Sequence, residues 1–162
     1  FTPKDGYSIL LNYIGGNEAN IDSAKLQKHM FDLTAGFQLS SNFFMGINAV
    51  QGLAVDPTTT KYWGGVALYS NYAFTDKLGL GARAEYFDNT QGVQYIGKTD
   101  VISYTLTGKI ALADGHLQLK PEVRIDTYKK TNIANGEQFE DANGIFSKNS
   151  QMTYGIVAIY KF

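Results

Sequence analysis

The chain has 162 residues, long enough for one domain with a sizeable core, and we expect a single domain over residues 1–162. Its formal net charge is −1, so bulk electrostatics favour neither nucleic acid nor acidic lipid, and nucleic acid is not expected as a partner. The absence of Cys excludes a disulfide framework and thiolate chemistry. No apolar run approaches the ~18 residues that a membrane-spanning helix needs.

Eight segments alternate apolar and polar residues with a period of two, which is typical of β-strands. In chain order they cover residues 7–14, 28–39, 43–51, 62–74, 78–87, 101–112, 117–128 and 152–162. The seventh segment alternates most strictly: its two sets are Leu117, Leu119, Pro121, Val123 and Ile125 against Gln118, Lys120, Glu122, Arg124 and Asp126. Because no segment keeps the period of an amphipathic helix, the sequence predicts an all-β chain.

Short and long connections are predicted to alternate along the chain. Tight turns at residues 40–42, 75–77 and 114–115 separate polar loops at residues 15–27, 52–61, 88–100 and 129–151. Outer-membrane barrels show this sorting, with short periplasmic turns at one end and longer external loops at the other. Aromatic residues near the strand ends, among them Tyr72, Phe74, Trp63 and Phe87, are interpreted as interfacial girdles.

These patterns predict an antiparallel, up-and-down transmembrane β-barrel in the bacterial outer membrane, with eight strands in this chain. The apolar faces would contact outer-membrane lipid, and the charged faces would line the lumen. A soluble lipocalin-like carrier would have the opposite orientation, with its apolar face inside. The sorted loops, the terminal Phe162 and the lack of a lipocalin-type Gly-x-Trp near the N-terminus argue against that alternative.

The two chain ends carry separate expectations. The last strand resembles the signal by which the barrel-assembly machinery recognises outer-membrane barrels, and Tyr154, Tyr160 and Phe162 carry this resemblance. At the other end, residues 1–6 have turn chemistry, so Phe1 is interpreted as the tail of an earlier strand. The chain would then be the C-terminal part of a larger barrel. A complete eight-stranded barrel is the alternative.

Several short motifs resemble a family of outer-membrane proteins. Residues 71–77 and 80–88, of which the RAEYFD of residues 83–88 is most specific, are similar to the β-barrel porin-2 (OmpL-like) family of Gram-negative bacteria. Further matches are LNYIGG at residues 11–16, FDL at 31–33, Trp63-Gly64, and the final G-x-V-x-x-Y-K-F at 155–162. The resemblance implies a porin-like protein without catalytic residues. Family members are usually much longer than this chain, which leaves pore size open.

Catalytic and metal chemistry find little support in the sequence. His29 and His116 lack partners at metal-site spacing, and the serines lack a nucleophile-elbow pattern. A Ser-His-acid hydrolase, like the outer-membrane phospholipase, would have to use one of these two histidines. We therefore expect a protein that is not an enzyme, with no catalytic residue, cofactor or metal.

Charged residues on the polar strand faces are the functional candidates. The set predicted to face the lumen is Asp32, Arg83, Glu85, Lys109, Lys120, Glu122, Arg124 and Asp126. In a wide barrel these residues would line a channel for passive diffusion of small solutes and tune its selectivity. In a closed eight-stranded barrel they would pair with one another and fill the interior. Such a small barrel would act structurally, or bind other envelope proteins through its long loops.

Overall fold

The computed structural model describes residues 6–17, 26–94, 98–129 and 139–162. Its main feature is an antiparallel sheet of eight long strands, each hydrogen-bonded to the next along the chain. The strands are β1 Tyr7–Asn17, β2 Gln27–Gln38, β3 Phe43–Val55, β4 Thr60–Ala73, β5 Leu78–Asp88, β6 Asp100–Leu112, β7 Leu117–Tyr128 and β10 Ser150–Tyr160. Two shorter strands, β8 Phe139–Glu140 and β9 Phe146–Lys148, form a separate hairpin between β7 and β10.

The sheet is open. Its order runs from β1 at one edge to β10 at the other, and no pairing joins these two strands within the described ranges. The prediction of an all-β antiparallel chain with eight long strands is therefore confirmed, while closure into a barrel stays a prediction. Across the part of the chain that the structure describes, no helix is long and apolar enough to span a membrane.

The register sorts apolar and polar side chains to opposite faces of the sheet. Leu11 on β1 pairs with Leu33, Leu33 with Ala49, and Ala49 with Val66, so the same face stays apolar across four strands. The pairing continues through Tyr86 and onward to β10. We call this side the apolar face. Because side chains alternate along a strand, a slip of one residue would move a whole strand's apolar set to the other side.

Within the described residues, the apolar face is largely exposed rather than covered by other parts of the protein. Only Ala35, Ala54, Ala67 and Val101 are buried apolar residues among those described, and all are small. Leu11 is 76% exposed and Leu68 is 53% exposed. The accessible surface is 11080 Å², against roughly 8,000 Å² for a compact monomer of this mass. The described residues thus do not form the interior core of a lipocalin-like carrier.

One predicted loop is wrong. Residues 52–61 were expected to form a long loop, but β3 continues to Val55 and β4 begins at Thr60. The intervening turn is closed by the Asp56 carboxylate, which accepts hydrogen bonds from the backbone N–H groups of Thr58 and Thr59 at 2.8 Å each. These bonds, that of Thr58 foremost, lower the pKa of Asp56 below its ordinary 3.8. The strict alternation of short and long connections therefore fails here.

Two other connections differ in detail from the expectation. The predicted loop at residues 129–151 contains the β8–β9 hairpin, and β1 extends to Asn17, past its predicted end. Gly15 and Gly16 pair with His29 and Lys28, which shows that β1 continues where the apolar alternation stops. Glycines have no side chain that could show the alternation of a strand, so the sequence pattern did not predict this part of β1. The turn predicted at residues 1–6 lies outside the described residues, apart from Gly6.

Candidate functional site

The second face of the sheet carries all eight charged residues singled out by the sequence. On β5, β6 and β7, Arg83 pairs with Thr105 and Thr105 with Arg124, so both arginines share one side. Asp32 lies on the same side, as successive strand pairings show: Asp32 pairs with Val50, Val50 with Gly65, and Gly65 with Phe87. Phe87 is two residues from Glu85 on β5 and therefore points to the same face as Glu85. We call this side the polar face. Whether it lines a lumen stays a prediction.

Charges on the polar face are sorted into rows that run across the strands. Glu85, Ser103 and Asp126 are successive partners on β5, β6 and β7, and we call them the carboxylate row. The next row toward the short turns holds Arg83, Thr105 and Arg124, and we call it the arginine row. Each arginine lies two residues from a carboxylate on its own strand. Opposite charges are therefore neighbours across the two rows.

Arg124 is the centre of a hydrogen-bonded cluster. Its Nε donates to Asp126 Oδ1 at 2.9 Å and to Oδ2 at 3.0 Å, and an Nη atom donates to Ser103 Oγ at 3.1 Å. The Ser103 hydroxyl in turn donates to Asp126 Oδ1. Each of the three side chains is hydrogen-bonded to both of the others, so the cluster fixes the orientation of the guanidinium group. Ser103 is only 1% exposed beneath it.

Arg83 and Glu85 form the second ion pair of these rows. The contact joins an Arg83 Nη atom to Glu85 Oε2 along β5. The Arg83 side chain is 45% exposed and that of Glu85 is 22% exposed, so water reaches this pair more freely than the Arg124 cluster. Solvent screening keeps such an exposed pair weak as a source of stability. Its guanidinium remains accessible to a solute on the polar face.

Asp32 has neutral partners, whereas Glu85 and Asp126 are each paired with an arginine. The amide of Asn12 donates to Asp32 Oδ2 at 3.0 Å, and the amide of Asn48 donates to Oδ1 at 2.7 Å. Asn48 also donates to Thr34 Oγ1 at 3.0 Å. The carboxylate is thus held in place by amides from β1 and β3. Its negative charge is not neutralised by a cation within the described residues.

Four aromatic rings on the polar face lie over glycines of neighbouring strands, which the sequence analysis missed. A Cβ at Gly52 would overlap the ring of Trp63, a Cβ at Gly46 would overlap Tyr69, and Gly65 lies under Phe87. Phe44 covers Gly36 in the same way. The pairs could have been found only with the register, because ring and glycine belong to different strands. Glycines of this kind let a strand bend sharply in a curved sheet.

The polar location of two of these rings corrects the girdle interpretation. Trp63 and Phe87 lie on the polar face with their ring centroids 5.8 Å apart. They were expected to border lipid because they lie next to predicted loops, but alternation places their neighbours Tyr62 and Tyr86 on the apolar face instead. Tyr72 does lie on the apolar face, opposite Leu80, and Phe74 follows β4 in the turn.

A cavity opens on the polar face at the end where the short turns lie. Its volume is about 280 Å³, and its polar walls are formed by Gln38, Asn42, Asn71, Thr107, Lys109 and Lys120. The ring of Phe44 closes one side. We call this space the lysine cavity. Glu122, one row away, accepts a hydrogen bond from Thr107 Oγ1 at 2.7 Å.

The residues of the predicted insertion signal lie on the edge strand and beyond it. Tyr154 pairs with Val123 and Tyr160 with Leu117, so both tyrosines are on the apolar face. They are 75% and 65% exposed. Phe162 follows the end of β10 and is fully exposed. Their role in insertion stays a prediction.

The two histidines form hydrogen bonds with a tyrosine hydroxyl and a backbone oxygen, whereas the histidine of a Ser-His-acid hydrolase is hydrogen-bonded to a serine. His29 Nδ1 lies 2.8 Å from the Tyr13 hydroxyl, and His116 Nδ1 lies 2.9 Å from the backbone oxygen of Lys161. Neither hydrogen bond involves a serine hydroxyl. In the ranges that the structure covers, no three His, Asp or Glu side chains are grouped so that they could hold a metal ion.

The family model described as "Putative beta-barrel porin-2, OmpL-like" matches residues 1–162 of this chain. The chain belongs to this family of porin-like β-barrel proteins. The family implies an outer-membrane location and points to a channel-type protein without enzymatic activity. Neither the curated proteins nor the solved structures include a match to the chain.

Proposed function

We propose that the chain forms the wall of an outer-membrane channel through which small solutes diffuse passively. The observation that carries this proposal is the separation of an apolar face from a face that bears the charged residues, which is most complete on β5, β6 and β7. A lipid-facing surface needs apolar side chains without cover, and a water-filled lumen needs charged and polar ones. Membership of the porin-like family supports the same assignment.

The exposed side chains of the apolar face support contact with lipid. Leaving a Leu or Ile side chain in water costs roughly 1.5–3 kcal/mol relative to burial. The described strands expose many such residues, among them Leu11, Leu68 and Ile156. Contact with outer-membrane lipid removes this cost, and we propose lipid as the partner of the apolar face. Tyr154, Tyr160 and Phe162 would guide insertion by the assembly machinery.

The two charged rows support a lumen that selects among ions. Arginine and carboxylate groups lining a pore set the electrostatic barrier that each ion meets. The arginine row and the carboxylate row lie next to each other at mid-strand, so both act on a solute at the same depth. Removing one row should leave the field of the other uncompensated.

The test is conductance of the purified protein in planar lipid bilayers. We expect stepwise conductance, a shift toward cation selectivity in Arg83→Gln/Arg124→Gln, and a shift toward anions in Glu85→Gln/Asp126→Asn. The two double variants control for each other because each removes two charges from adjacent rows. Inserted protein without conductance would contradict the channel. A shift of ion selectivity in the same direction in both double variants would contradict the role of the two rows.

A second candidate is a small closed barrel whose interior is filled. The Arg124 cluster favours it, since Ser103 is buried and every charge in the cluster is paired. Paired charges of this kind fill the interior of an eight-stranded barrel. The protein would then act structurally or bind envelope proteins through its loops. It would insert into bilayers without conducting, so absence of conductance from protein that floats with lipid vesicles would support it.

A further inference from the structure

Two lysines that line the lysine cavity are direct partners on neighbouring strands. Thr107 pairs with Glu122 and Ile110 pairs with Leu119, and the same register between them sets Lys109 on β6 opposite Lys120 on β7. Like charges directly opposite each other destabilise a sheet. None of the ion pairs among the described residues involves either lysine. The repulsion is relieved when an anion lies between the two ammonium groups.

The rest of the cavity wall combines neutral hydrogen-bonding side chains with apolar residues and glycines. Asn42 Oδ1 already accepts a hydrogen bond from Ser40 Oγ at 2.7 Å, which leaves the amide N–H groups of Asn42 for a ligand. Asn71 lines the cavity from β4, and its side chain forms no hydrogen bond within the described residues. The Phe44 ring offers an apolar surface beside them. Such walls suit hydroxyl groups and a C–H face.

We propose that the lysine cavity is a binding site for small hydroxylated organic anions, such as sugar acids or sugar phosphates. The two ammonium groups bind the carboxylate or phosphate, the amides bind hydroxyl groups, and Phe44 contacts the carbon skeleton. The cavity of about 280 Å³ is at the small end of ligand pockets, which favours a single sugar unit over a long chain. This inference rests on the proposed function, since it identifies solutes that the channel would take.

The test is equilibrium dialysis of the protein in neutral detergent with radiolabelled glucuronate, glucose 6-phosphate, inorganic phosphate and glucose. We expect the two sugar anions to bind at least about tenfold more tightly than glucose, and more tightly than inorganic phosphate. Equal binding of glucose and the sugar anions would overturn the proposal, as would no binding of the sugar anions. Inorganic phosphate binding as well as the sugar anions would overturn the role of the amides and Phe44.

Matched variants test the two lysines. Lys109→Gln/Lys120→Gln should weaken sugar-anion binding about tenfold or more, and Lys109→Arg/Lys120→Arg should retain it. Lys77→Gln removes the same kind of charge from a nearby turn outside the cavity and should leave binding within about twofold. Equal losses in Lys77→Gln and the double Gln variant would overturn the site. If the double Gln variant fails to fold, the glucose comparison on the unaltered protein still decides.

Binding and conduction are separable results. Sugar-anion binding without conductance would leave the site standing and contradict the channel. Conductance without sugar-anion binding would support the channel and contradict the binding site.

Discussion

Arg124 shows how a single side chain on the polar face is held by its neighbours. Asp126 lies two residues away on the same strand, and both of its carboxylate oxygens accept hydrogen bonds from the guanidinium group of Arg124. The hydroxyl of Ser103 on β6 accepts a further hydrogen bond from this group. An arginine is suited to this task because its planar group presents several donors in a fixed geometry. Any charge change in the cluster therefore leaves a neighbour without its partner.

Adjacent residues on β6 allow the two faces to be compared directly. Leu106 lies on the apolar face between Ala82 and Val123, while Thr107 lies on the polar face between Gly81 and Glu122. We expect Leu106→Arg to lower the free energy of unfolding in lipid by ~2–4 kcal/mol because it carries a charge into the hydrocarbon. Thr107→Arg should be tolerated, since Glu122 is beside it. Urea unfolding in lipid vesicles measures both, and similar losses would contradict the assignment of the faces.

Among the strands, glycines on β3 leave the space that aromatic rings of β4 occupy. Gly46 lies opposite Tyr69, whose ring occupies the place of a Cβ. Tyr69 also contacts Phe44, with ring centroids 6.1 Å apart. A side chain at position 46 would move the Tyr69 ring and disturb that contact. The glycine is therefore a packing requirement of this strand pair.

We expect Gly46→Ala to destabilise the protein by about 1–3 kcal/mol because the added methyl group overlaps the Tyr69 ring. Gly155→Ala on β10 is the control, since nothing lies within 4 Å of a Cβ there, and it should change stability by less than about 0.5 kcal/mol. The two free energies of unfolding can be measured in detergent with urea. The penalty should shrink in a Tyr69→Ala background, and a penalty unchanged in that background would rule out the ring as its cause.

The strands were the most predictable part of the fold, because alternation encodes them directly. Residues 117–128 match β7 at both ends. The loop predicted at residues 52–61 failed because alternation is lost there: the polar Gln51 lies on the apolar face, and the non-polar Gly52 and Ala54 lie on the polar face. The backbones of Gly52 and Ala54 nevertheless pair with Trp63 and Lys61. The polar face was predictable one strand at a time. Its rows, the cluster at Arg124 and the lysine cavity depend on register, which alternation alone does not fix between strands.

In the molecule as a whole, the described residues form one large sheet with two chemically different faces, and its edge strands β1 and β10 do not pair with each other. Antiparallel sheets on one side of a soluble core bury their apolar face, but the described residues leave it exposed. Exposed edges also invite pairing with further strands. Both features agree with a family of β-barrel porins, in which lipid covers the apolar face and closure removes the edges.

We propose above all that the apolar face contacts lipid and that the polar face contacts water. The chain contains no Cys, so single cysteines can be introduced without background. We would place them one at a time at Tyr104, Thr105, Leu106 and Thr107 of β6 and measure labelling by a charged, membrane-impermeant maleimide in lipid vesicles. We expect labelling at positions 105 and 107 and protection at positions 104 and 106. Labelling in the opposite pattern, or no difference between the two pairs, would contradict it.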